Sequence, residues 1–155
     1  MSDKHQDVAL ILKLYELRRE EGLRRARRWY FAEFNPQSVD DILKVWGSGH
    51  DGSAHFRMIT SYWDMAASLV NNGAIDEQMF NDCNGEHLFV FAKIEPILEE
   101  LRQTWNQPDM MKNFETLVRR IPNNKETLAA MRERIKMIQG MMAERAAKAK
   151  AAAQA

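Results

Sequence analysis

The sequence predicts an all-α fold, an irregular bundle of six or seven helices around a proline-kinked central helix. Three observations predict it. First, residues 55–105 hold two amphipathic patterns: Ile59, Tyr62, Trp63, Ala66, Leu69 and Val70 at helical spacing, then Phe91, Ile94, Leu98, Leu101 and Trp105 in steps of three and four. Second, the stripes are separated by residues that end helices, such as Asn35-Pro36, Asn72-Gly73 and Asn84-Gly85. Third, period-2 alternation is never sustained, and no hairpin turn lies between β-branched runs.

Residues 3–33 read as one long helix. Val8, Ile11, Leu12 and Tyr15 make one apolar face, and Leu23, Ala26, Trp29 and Tyr30 make a second. Gly22, which costs about 1 kcal/mol relative to Ala inside a helix, marks a possible bend or break. Asn35-Pro36 ends the element because a residue before proline avoids the α region. Ser38 is placed as an N-cap, with Asp40 and Asp41 in the first turn of a short helix over 39–46. A glycine-rich loop over 47–53 leads to a helix over 54–72. Gly73 stands at the left-handed position after that helix, and Asp76 caps the next one.

A helix over 86–106 contains Pro96, which removes the bond to the Ala92 carbonyl and bends the rod without ending it. Pro108 suits the first turn of a helix that buries Met110, Phe114, Leu117, Val118 and Ile121. Asn123 and Glu126 have capping-box spacing at the start of the last helix. The chain reads as one domain over 1–145, followed by an Ala/Lys-rich tail over 146–155 that is frayed or disordered. Trp63, Leu69, Phe91, Leu98 and Leu101 are expected to be buried together.

A chain of 155 residues suits one domain and buries roughly 70% of its unfolded surface. The single cysteine, Cys83, excludes an internal disulfide. The aliphatic run at 8–12 is too short for a signal-peptide core or a membrane span, so a soluble cytoplasmic protein is expected. Net charge is zero but unevenly spread. Residues 1–34 hold eight Lys/Arg against six Asp/Glu, residues 35–110 four against twelve, and residues 111–155 ten against four. The cationic end is therefore expected to lie near the acidic middle, within or between subunits.

No motif names an activity. His50, Asp51 and His55 flank the glycine-rich loop but match no zinc spacing. Cys83 and His87 lie four apart across Asn84-Gly85, and Cys83 reads as a buried structural thiol. Asp64 shares a face with Ser61 and Ser68 and reads as solvated or capping. Glu99 and Arg102 suit a surface ion pair. There is no Glu-x-x-His, glycine-rich phosphate loop, serine elbow or dinucleotide fingerprint. No catalytic residue, metal ligand or cofactor is expected.

Two surfaces are candidates for a partner. Arg24, Arg25, Arg27 and Arg28, with Arg18 and Arg19 before them and Trp29, Tyr30 and Phe31 behind, have the types that grip phosphates and stack on bases. The competing reading is a solvated face paired locally with Glu16, Glu20 and Glu21. Leu128, Met131, Ile135, Ile138 and Met142 form a narrow seam in steps of three and four, the spacing of a coiled-coil face. That seam either packs along the central helices or completes a homodimer, with Arg132, Arg134, Lys136 and Arg145 meeting the acidic middle. The expected role is a non-catalytic protein interaction or self-association module. The alternative is a nucleic-acid-binding accessory protein.

Tyr62-Trp63, then Asn72-Gly73-Ala74-Ile75-Asp76-Glu77, the Pro96 helix with Ile97 and Glu100-Leu101-Arg102, and Phe114-Glu115 with Leu117 resemble a bacterial family of domains of unknown function. The resemblance covers about 14–121. It implies an all-helical fold and carries no catalytic residues. Many members of that family place a transmembrane helix before the shared region, and this chain shows no such span.

Overall fold

The computed structural model describes residues 3–49 and 51–154. Among them the order is α1 (Lys4–Arg19), α2 (Glu21–Ala32), α3 (Val39–Gly47), α4 (Gly52–Asn71), α5 (Glu77–Cys83), α6 (Glu86–Ile94), a 3-10 turn (Glu95–Ile97), α7 (Leu98–Thr104), α8 (Lys112–Arg119) and α9 (Asn124–Ala153). The fold is all-α. The helices beyond the expected six or seven come from a break at Glu20 and from the turn at Pro96.

α4 is the centre. It packs chiefly on α2 and α8, while α9 lies on α6. Its buried face holds Phe56, Ile59, Tyr62, Trp63, Ala66 and Val70. Trp63, Phe91, Leu98 and Leu101 are buried in one cluster as the stripes require, and Leu69 is only partly buried at its edge. α4 ends as its sequence dictates. Gly73 has φ +75°, its N–H reaches the Val70 carbonyl at 2.9 Å, and the Ala74 N–H reaches that of Leu69 at 2.9 Å. Asp76 then caps α5 by accepting from the Met79 N–H at 2.8 Å.

The first helix breaks at Glu20, two residues before the expected Gly22. The Glu20 backbone is extended (ψ 142°), and its carboxylate caps α2 by accepting from the Leu23 N–H at 3.1 Å. Hydrogen bonds from the Gly22 and Leu23 N–H groups hold that carboxyl below its usual value. Of the apolar face expected on α1, only Ile11 packs against the core. Val8, Leu12 and Tyr15 are exposed, whereas Asp7 and Leu14 are buried. The Asp7 carboxylate accepts from the Asp76 N–H at 3.2 Å, and the Tyr62 hydroxyl donates to the Leu14 carbonyl at 2.6 Å. Burial raises that hydroxyl to about 12.

Pro96 lies in the 3-10 turn between α6 and α7. The Ala92 carbonyl, which proline cannot bond, accepts from the Arg132 guanidinium of α9 at 3.3 Å. Two helix starts differ from expectation. α8 begins at Lys112, after Met111 in the left-handed region (φ 56°), and leaves Pro108 outside. Asn123 is also left-handed (φ 54°) and makes no side-chain cap, so the capping box does not form. Asn124 secures that corner instead, donating to the Arg119 and Ile121 carbonyls at 3.1 and 3.0 Å. α9 continues to Ala153 through the Ala/Lys repeats, and no described residue beyond Gln139 is even half-buried.

Candidate partner surface

Helical geometry divides the arginine stretch. Arg27 turns inward and grips Glu86 on α6 with both nitrogens, at 2.9 Å from Nε and 2.6 Å from NH2. The hydrogen bond to Glu86 raises the Arg27 guanidinium above its ordinary value. Arg18 approaches the same carboxylate at 3.8 Å and lies 5.3 Å over the Trp63 ring. These two arginines tie the break between α1 and α2 to the start of α6.

Arg24, Arg25 and Arg28 point outward, and among the described residues they make no ion pair. The local acids are engaged elsewhere: Glu16 pairs with Lys13 at 3.3 Å and Glu20 caps α2. The Arg25 charge helps to hold the Glu20 carboxyl low, but none of the three arginines forms a close ion pair with Glu16, Glu20 or Glu21 among the described residues.

The seam on α9 is also divided. Leu128 is fully buried, and Met131 and Ile135 are half-buried. Arg132 fixes this half, bonding Glu95 at 2.8 Å, and Arg119 of α8 reaches the same carboxylate at 3.1 Å. Arg134 lies over the Phe89 ring at 5.9 Å, while Lys136 pairs with Glu133 on its own helix. Beyond this point the seam leaves the core. Ile138 is 42% and Met142 62% exposed, with Met137 and Met141 exposed beside them.

The two surfaces meet at the end of α2. Phe31, Ala32 and Asn35 form an open hollow of about 470 Å³ with Ile138, Gln139 and Met142. The Gln139 amide donates to the Asn35 side-chain oxygen there. Arg28 lies one turn before Phe31 and Ala32 on α2, and Arg24 one turn earlier, so cationic and apolar patches are continuous.

What holds this corner is a residue that sequence reasoning missed. Lys93 is buried, and its ammonium donates to the Tyr30 carbonyl at 2.6 Å, the Phe34 carbonyl at 2.7 Å and the Asn35 side chain at 3.2 Å. It caps the open C-terminal end of α2 with positive charge. Burial pulls it down to about 8. Its only sequence signal is a lone cation inside the apolar run 88–94.

The remaining candidates have structural places. Asp64 is a cap supplied across helices, accepting from the Phe114 N–H at 2.9 Å and the Asn113 amide at 3.4 Å. It supplies the α8 N-terminus with the acceptor that Met111 lacks. Glu99 pairs with Arg102 at 3.7 Å as expected. Cys83 is exposed, contrary to expectation, because it ends α5 just before the chain turns. His50 lies outside the described residues, and His55 packs on Trp29 with ring centroids 5.7 Å apart. Among the described residues no three His, Cys, Asp or Glu side chains are placed to hold a metal ion. Nor is any helix among them long and apolar enough to cross a membrane.

No curated protein and no solved structure matches the chain. A known family pattern does match, over residues 4–121. Its end coincides with the turn before α9, so the helix that carries the exposed seam lies outside the shared region. The chain belongs to the family described as Domain of unknown function (DUF4760).

Proposed function

We propose that the chain is a non-catalytic interaction module that self-associates through the free half of α9. One observation carries this reading: a single apolar seam is buried at Leu128 and exposed at Ile138 and Met142. Past Gln139 the helix buries no further side chain in its own core. Yet it runs on through 15 described residues to Gln154 at helical rise for all but the last, roughly 20 Å.

A second copy suits it by charge and by area. The overhang carries Arg145, Lys148 and Lys150 against Glu144, and in the acidic middle the exposed Asp40 and Glu100 make no ion pair among the described residues. A helix of that length and roughly 10 Å diameter covers about 350 Å² on one side. Counting both surfaces, a reciprocal exchange in a two-fold dimer covers about 1,400 Å², within the usual range for a specific interface. Methionine at 137, 141 and 142 suits a surface that must adapt to its partner.

Light scattering on the intact chain tests the reading. A dimer that becomes a monomer on Ile138→Lys with Met142→Lys supports it, and an intact chain that is monomeric removes it. A second reading, nucleic-acid binding, rests on the exposed Arg24, Arg25 and Arg28, none of which makes a close ion pair among the described residues. Its signature is an affinity for single-stranded RNA or DNA that falls steeply with added salt and is lost in the triple Arg→Gln variant.

A further inference from the structure

A second hollow lies away from α9, where α3, α4 and the end of α7 meet. It encloses about 430 Å³. Its apolar walls are Trp46 in the last turn of α3, Phe56 of α4, Trp105 just after α7 and Met110 before α8. The three rings touch one another. Centroids are 4.8 Å apart for Trp46 and Trp105, 5.3 Å for Trp46 and Phe56, and 6.5 Å for Phe56 and Trp105. They meet at 57°, 72° and 81°, so they build a corner and not a flat stack. Phe56 is its buried floor, whereas Trp46 is 38% exposed and Trp105 half-buried. Both indoles are therefore open to a molecule in the hollow. Large apolar rings left open together in a concave site mark a place of binding.

The polar groups fix the charge of the occupant. Arg57 and Gln107 line the hollow and are exposed. The Arg57 Nε–H donates to the Ser53 carbonyl at 3.3 Å, which orients the guanidinium. Its terminal nitrogens make no hydrogen bond or ion pair among the described residues. The Thr60 hydroxyl, also in the wall, is spent on the Phe56 carbonyl at 2.9 Å. No Asp or Glu lines the hollow, so the Arg57 cation is its one charge. A cation would meet repulsion there, and an anion would meet an uncommitted guanidinium with two donors side by side.

We propose that this hollow binds a small planar aromatic carboxylate. The ring lies in the corner against Trp46 and Trp105, face to one indole and edge to the other, the arrangement aromatic rings prefer. The carboxylate accepts from the terminal nitrogens of Arg57. None of the hollow's residues lies on α9, so failure of this proposal and failure of self-association are separate results.

Naphthoate is the probe, titrated into the full chain and followed by the indole N–H resonances. Saturable shifts are expected at Trp46 and Trp105, with none at the buried Trp63. Naphthamide keeps the shape without the charge, and cyclohexanecarboxylate keeps the charge without the flat ring. Each should bind about tenfold more weakly or worse. Arg57→Gln, on the exposed side of α4, weakens naphthoate by about tenfold, the effect of one charged hydrogen bond, and leaves naphthamide unchanged. Trp46→Leu, checked for folding by its thermal melt, abolishes binding. No shift of Trp46 and Trp105 with naphthoate at millimolar concentration overturns the proposal. So does equal binding of naphthamide or cyclohexanecarboxylate, or an Arg57→Gln chain that binds naphthoate as the wild type does.

Discussion

Acid should destabilise this protein in part through one buried histidine. His87 titrates at about 4 in the folded chain, because burial and then the Arg18 charge disfavour its cation. In the unfolded chain it titrates near 6.5. Between those values the unfolded state holds the extra proton, so stability falls as pH falls from about 6.5 to 4 and is unaffected by this group at higher pH. The gap of about 2.5 pH units corresponds to about 3 kcal/mol, a large fraction of a small domain's stability. The clean perturbation is His87→Phe, which keeps a ring between Trp63 and Phe80 and removes the titration. Urea unfolding of both proteins at several pH values from 7.5 to 4 reads the effect. The carboxylates lower both curves, and the wild type should lose about 3 kcal/mol more than the variant, mostly below pH 6. Parallel curves would refute the argument that an unpartnered buried imidazole helps to set the acid limit.

Three further predictions follow from packing. Leu98→Ala, in the core beside Leu101, should cost about 2–5 kcal/mol in chemical denaturation. Asp64→Ala removes the cap on Phe114 and should cost about 1 kcal/mol, with faster amide exchange confined to the first turn of α8. Glu86→Gln leaves Arg27 and Arg18 without their shared carboxylate and should cost about 2–3 kcal/mol, less than a fully buried pair because Arg27 is partly exposed.

Much of the fold was legible in local chemistry. Gly73 and Asp76 act as their residue types dictate, and the α4 and α6 stripes point into one core. What escaped depends on partners far along the chain. The α1 stripe of Val8, Leu12 and Tyr15 has good spacing, yet the side turned inward holds Asp7 and Leu14, because Asp76 and Tyr62 supply their partners. Spacing finds a stripe but not the direction it faces. Asn123 has the right offset from Glu126, but a left-handed backbone keeps its side chain out of the capping position. Lys93 and Glu86 look like ordinary surface charges in sequence, and only the approach of α2 makes them an internal cap and an internal counter-ion. The arginine stretch reads as one basic block, but helical rotation sends Arg27 inward and Arg24, Arg25 and Arg28 outward. The seam was visible at full length. Its division at Ile138 was not, because that depends on where the end of α2 lies beneath it.

The division also identifies the decisive truncation. A chain ending at Gln139 keeps every half-buried residue of α9, including Leu128, and removes only the exposed overhang. Sedimentation of the intact and shortened chains at roughly tens of micromolar, where an interface of ordinary size holds, tests self-association directly. Self-association through the overhang requires a dimer that becomes a folded monomer on shortening. A monomeric intact chain, or a shortened chain that remains dimeric, contradicts it.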